Sequence, residues 1–191
     1  TGIWKSKESR QIPLVMDVQG IKVGVISATY SLNGFEQHMT EEELDLVCFI
    51  DKEQVEEQIN LCKEFGAELI IVSPHMGDEF VKYPRRGIRE YGEEYIRLGA
   101  DIVFGHHPHV IQPVENIEVK LDDGSTKNGL VFWSLGNFVA CMYGVSKEAD
   151  CIAYVGIRRD NVTQDISITT VEYLPTWTYR YGKNNDTFSI L

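Results

Sequence analysis

The order of apolar and polar positions changes character near residue 110. In the front part, "GIKVGVISAT" (20–29) reads as a mostly buried strand, and "ELIIVS" (68–73) and "DIVFG" (101–105) are short continuous apolar runs of the kind covered on both faces. Between them Val55, Ile59, Cys62 and Phe65 recur at helical spacing. Asp51 and Gln54 stand ahead of that stripe in the arrangement of a capping box, and Gly66 follows it. Ile88, Tyr91, Tyr95 and Leu98 form a second stripe that begins after Pro84 and stops at Gly99. The "NG" at 33–34, with Ser31 before it, predicts a turn. The predicted order over 20–105 is strand, helix, strand, helix, strand, an α/β layer with parallel pairing.

Beyond 110 the helical spacing disappears. "VIQPVENIEVKL", "LVFWSLGNFVA", "CIAYVGIRRD" and "VTQDISITTVEYL" are rich in β-branched and aromatic residues, and "DDGSTKNG" reads as a polar loop. No repeat and no long linker interrupts the chain. The expectation is one unit over 1–191, with an α/β part at 1–110, mainly antiparallel β structure at 111–175 and an irregular tail at 176–191.

Composition narrows the partners. The 191 residues are 43% hydrophobic and 10% aromatic, which is globular. Eighteen Lys and Arg against 29 Asp and Glu give a net charge of −11, which repels polyanions and argues against nucleic acid. No apolar run approaches the roughly 18 residues of a membrane span, and the N-terminal segment lacks the basic-then-apolar order of a signal peptide. The four cysteines form no C-x-x-C pair, and Cys62 falls on the apolar stripe as a small core residue.

The candidate chemistry gathers beyond two strand ends. "PHMGDEF" places His75, Asp78 and Glu79 after one apolar run, and "GHHPHV" places His106, His107 and His109 after the next. In open α/β sheets ligands bind outside those carboxyl ends, so the two loops are expected to share a crevice. If the backbone is extended, as Pro108 favours at His107, the i, i+2 spacing sends the His107 and His109 rings to one side. Neutral imidazoles converging from two loops suit zinc, manganese or iron, with His75 as the third candidate. A lone strand-end histidine is more often a hydrogen-bonded structural residue, but a cluster of four has a cost without a metal or anion to hold. His106 should point the opposite way, as a contact to substrate or to a ligand residue. Glu79 can orient a ligand histidine or carry a proton, whereas Asp78 reads as solvated. Lys82, Arg85, Arg86 and Arg89 form a basic run near a helix start, which suits an anionic partner or a solvated face. Asn137, after Gly136 in "SLGNF", suits either a turn or a site contact, and Phe132 and Trp133 read as core.

"TGIWKSKES", "GIKVGVISATYSLNG", "PHMGDEFVKYP", "GADIVFGHHPHVIQPVE" and "VFWSLGNF", in this order, resemble the bacterial poly-γ-glutamate capsule biosynthesis proteins of the CapA type, in the calcineurin-like metallophosphoesterase superfamily. The resemblance runs from Thr1 to about Cys141. It implies a four-layer α/β/β/α sandwich with a two-metal site at the strand ends, where His75, His107 and His109 match ligand positions and Glu79 matches an acidic residue of the histidine–glycine loop. The family's H-W-G-x-E-Y is altered here, with Met76 for Trp and Phe80 for Tyr, and Arg85 to Gly87 stand where a glutamine usually follows the proline. The family's first half, with its strand-end aspartate and Asn-His pair, has no match, so the chain is expected to correspond to the C-terminal half of that α/β fold.

The resemblance thus implies a metal-dependent, phosphoesterase-like hydrolase of capsule biosynthesis, at the bacterial cell envelope or outside it. The expected roles are His75, His107 and His109 for divalent metal, His109 and Glu79 for catalysis, and His106, Asn137, Arg85 and Arg86 for an anionic small-molecule or polymer substrate. The expected structural partner is the N-terminal half of the fold or a second copy. The alternative is a non-catalytic assembly module that keeps the histidine loops for a metal or an anion.

Overall fold

The computed structural model describes residues 1–181 and 187–190. In chain order the elements are α1 (Lys7–Arg10), β1 (Leu14–Val18), β2 (Ile21–Thr29), a 3₁₀ turn at Phe35–His38, α2 (Glu41–Leu44), α3 (Lys52–Glu64), β3 (Leu69–His75), α4 (Arg86–Leu98) and β4 (Ile102–Phe104). They continue with β5 (Val114–Lys120), β6 (Thr126–Phe132), α5 (Val145–Glu148), β7 (Ala149–Arg159), β8 (Ile166–Tyr181) and β9 (Thr187–Ile190). A six-stranded sheet has the order β1-β2-β3-β4-β6-β5, and a three-stranded sheet the order β7-β8-β9. β2, β3, β4 and β6 run parallel, and β1 and β5 are antiparallel edge strands.

The continuous apolar runs are explained by this layering. Alternate residues of β3 face opposite ways, so Ile70 and Val72 join Val55, Ile59, Cys62, Tyr95 and Ile96 under the helices. Leu69 and Ile102 instead meet Ala153, Val155, Ile157, Ile166 and Ile168 of the second sheet. Trp133 is 1% exposed at the heart of the helical side. It leaves no room for a side chain at Gly92, where an added Cβ would stand 2.6 Å from its ring. Its indole N–H donates to Glu115, which Arg89 also engages.

β5 and β6 pair with each other antiparallel, and β6 also joins the main sheet parallel to β4. Four expectations need correction. The polar loop "DDGSTKNG" contains only a short turn, and Thr126–Gly129 is already strand, paired with β5 beyond the end of β4. "LVFWSLGNFVA" is strand only to Phe132. The tail is not irregular through 176–181, since β8 continues to Tyr181 and pairs with β9; residues 182–186 and 191 lie outside the described set. The expected capping box at α3 is also half formed. Asp51 accepts the Gln54 N–H, but the Gln54 side chain accepts from Phe49 N rather than from the Asp51 backbone.

The second sheet covers the first incompletely. Val25, Ile71 and Phe104 line a cavity of about 620 Å³ together with His106, Asn137, Phe138 and Cys151. Tyr173, opposite Ala153 in the ladder and so on the same face, is 61% exposed. Among the described residues β9 pairs with β8 only at Thr178–Tyr181, which leaves the β8 edge over Ile166–Trp177 unpaired.

Candidate functional site

Two loops at the carboxyl ends of β3 and β4 are stitched together by their backbones. His106 N–H donates to Pro74 O, Met76 N–H to His106 O and Phe80 N–H to Pro108 O, at 3.0, 2.9 and 2.8 Å. Gly77, at φ +129°, lets Pro108 approach, since a Cβ there would lie 2.9 Å from the proline ring. A third loop, Gly136–Phe138, arrives from the end of β6.

The histidine rings converge by a different route from the one expected. His107 and His109 have φ of +103° and +58°, so the segment is coiled rather than extended, and the preference Pro108 exerts on its predecessor is overridden by the loop bonds. Their ring centroids are 5.7 Å apart. Glu79, His107 and His109 each present a ligand atom within 4.8 Å of the others, making a metal-sized group. His75 lies beside this group and does not complete it, its Nε2 facing His107 Nδ1 at 3.1 Å.

Hydrogen bonding fixes the His109 tautomer. The Asn137 Nδ2 faces two carbonyls, Lys147 O at 3.0 Å and His109 O at 3.3 Å, and carbonyls only accept. Its Oδ1 therefore faces His109 Nδ1, at 2.6 Å, and the ring must donate there. Nε2 is left as the ring's only lone pair. Beneath this turn Asp150, 1% exposed, accepts the Asn137 backbone N–H through Oδ1. Burial pushes the Asp150 carboxyl above the usual carboxylate range, opposed by the N–H groups of Asn137 and Phe138 and the Thr178 hydroxyl.

Burial favours the neutral form of three of the imidazoles, His75, His106 and His107. Burial, and then the proximity of His107, His106 and His109, pushes His75 down to about 4. Burial also lowers His107 and His106, with Glu79 pulling His107 the other way. Neutral imidazoles beside a carboxylate are the donor set that zinc, manganese or iron takes, and the residues present fit such an ion.

The remaining predicted residues divide. Arg85 bonds Asp78 at 2.8 Å and lines, with Tyr30, Met76, Glu79, Tyr91 and His107, a hollow of about 610 Å³ beside the group. Arg86 turns away to Glu90, and Arg89 to Glu115. His106 faces the inter-sheet cavity on the other side of the loop from that hollow. Sequence reasoning missed Tyr30, whose ring lies 4.6 Å from His107, although it directly follows the carboxyl end of a third parallel strand. It also missed Lys147, whose ammonium sits 4.8 Å from the Phe80 ring, itself 6.0 Å from His109. Asp150 carried no local signal.

An imidazole pair and a carboxylate beside an open hollow can hold a cation and present an anion to it. Residues 1–142 match the family described as bacterial capsule synthesis protein PGA_cap. The capsule biosynthesis protein CapA of Bacillus anthracis is 36% identical over 77 residues, 40% of this chain and 16% of that protein. The PGA biosynthesis protein CapA of Bacillus subtilis (strain 168) is 38% identical over 74 residues, 38% of this chain and 17% of that protein. The chain thus aligns with a minor part of these curated relatives. Among solved structures, the NAD nucleotidase NadN of Haemophilus influenzae superposes with a TM-score of 0.51 at 16% identity, covering 100% of this chain and 33% of that one. That likeness is one of fold alone, a mixed α/β architecture.

Proposed function

Because the chain belongs to the bacterial capsule synthesis protein PGA_cap family, we propose that it is a CapA-type protein of poly-γ-glutamate capsule biosynthesis acting as a metal-dependent, phosphoesterase-like hydrolase at the cell envelope. The observation that carries this reading is the convergence of Glu79, His107 and His109 within 4.8 Å at the strand ends. A divalent zinc, manganese or iron ion held there supplies Lewis acidity toward a phosphoester or related anionic centre. His109, with its proton held on Nδ1, presents Nε2; Glu79 is the carboxylate of the group; Arg85 and Lys147 are the nearby cations for an anionic substrate. The β8 edge left unpaired among the described residues and the incompletely covered inner face support a further proposal, that additional strands of the same fold or a second copy complete the sandwich.

The described residues hold one group of this kind, whereas two-metal hydrolysis needs a second. That favours, as a second reading, a non-catalytic metal- or anion-binding assembly module. Metal analysis after incubation with zinc or manganese should find about one ion per chain, and His107→Ala should lose most of it while unfolding at the wild-type temperature. Equal metal content in both proteins would sink the metal reading. Turnover of a generic phosphodiester that disappears in His109→Ala supports the hydrolase, and metal binding without turnover supports the module.

A further inference from the structure

The metal group uses neither Asp150 nor the polar atoms around it, yet Asp150 is the most deeply placed carboxylate near the site. It is the second residue of β7, opposite Thr176 in the ladder. Its Oδ1 takes the Asn137 N–H, while Oδ2 and the buried Thr176 Oγ1 have no hydrogen-bond partner among the described residues. A carboxylate sealed in this way opposes folding, and the groups set against that cost are the loop N–H groups of Asn137 and Phe138 and the Thr178 hydroxyl. The loop is shaped to receive it. Gly136 has φ +85°, and a Cβ there would lie 2.5 Å from Asp150 Oδ1, so only glycine lets the turn settle on the carboxylate.

What the turn carries is the Asn137 carboxamide, pinned through Nδ2 to Lys147 O and His109 O and through Oδ1 to His109 Nδ1. We propose that Asp150 is a positioning residue for His109: acting through Asn137, it keeps the ring proton on Nδ1 and leaves Nε2 as the lone pair available to the Glu79–His107–His109 group. The Asp150 oxygen is suited to this because it is a buried acceptor fixed beneath the turn, where the Asn137 N–H has it to bond. The proposal rests on the metal reading for its affinity readout alone; the tautomer readout stands without it.

The test uses the metal-free chain labelled with nitrogen-15 in its histidines, at mildly alkaline pH where the imidazoles are neutral. His109 in the wild type should show the Nδ1–H tautomer. In Asp150→Ala the two tautomers should mix and zinc affinity should fall by about 10- to 100-fold, with the thermal transition still cooperative. Asp150→Asn, whose amide oxygen still accepts the Asn137 N–H, should restore the wild-type tautomer, which a purely structural role for the charge does not predict. If Asp150→Ala fails to fold, Gly136→Ala leaves the carboxylate in place, pushes the turn away from it and should mix the tautomers in the same way. A wild-type Nδ1–H signal in folded Asp150→Ala, or in Gly136→Ala, overturns the proposal. Zinc that fails to bind even the wild type overturns the metal reading, and the tautomer comparison still decides the role of Asp150.

Discussion

Gly105 shows how single residues set this site. It joins β4 to the histidine loop, and its N–H donates to Phe132 O at 2.7 Å. An added Cβ would collide with the backbone carbonyl of Trp133, which cannot swing aside as a side chain can. Gly105→Ala should therefore lower stability by about 1–3 kcal/mol in denaturant titration. Gly87→Ala, where nothing lies within 4 Å of the new methyl, should be neutral or gain up to about 1 kcal/mol. Equal effects at the two positions would show that close packing at 105 is unimportant. At this scale the histidines and Glu79 were legible, because they fall within a few positions of a strand end. Lys147 and Asp150 were not. They reach the site only because β7 docks against the first sheet, and local sequence does not encode such a docking.

Among the elements, α3 shows how a cap is used. Asp51 satisfies the Gln54 N–H, and Gln54 reaches back to Phe49 rather than to Asp51, so the helix start is tied to the segment before it. Asp51→Ala should cost about 1 kcal/mol, read from the urea midpoint at unchanged slope. A midpoint that does not move would show that the Gln54–Phe49 bond holds the helix start alone. The helices and buried strands were legible from periodicity, but two strand boundaries were not, for identifiable reasons. Thr126–Asn128 look like loop because they pair only with the edge strand β5, where polar side chains meet water. Pro175 looks like a breaker, yet it lies opposite Cys151, whose N–H goes to Leu135 O, and on an edge where the described residues place no further strand at that level. A proline costs the ladder nothing there.

At the scale of the whole molecule, the α/β class and its layers follow from apolar runs that need cover on both faces, and the sandwich came from the motif resemblance. The polar tie between the sheets was invisible, because its partners are 91 positions apart. Arg159 grips both oxygens of Glu68, at 2.6 and 2.8 Å, and also donates to Gly20 O at 3.0 Å. The bond from Arg159, first among several causes, lowers Glu68 from 4.5 to about 2. Because the folded-state value is the lower one, the contribution to stability is fully present above about 4.5 and is lost as pH falls through about 2. The stability difference between wild type and Arg159→Gln should be constant above that window and close within it. A difference that does not change with pH would show that the pair contributes nothing through charge.

The arrangement of strands also imposes an order in time. β7 and β8 are joined by the short Asp160–Asp165 connection and can pair as a hairpin within microseconds. The six-stranded sheet needs parallel partners brought together across intervening helices, a slower search. The hairpin is therefore free to pair before that sheet closes, and until it does Ala153, Val155 and Ile157 have no cover. In a cell that interval is when a chaperone, or another copy of the same hairpin, would meet this chain.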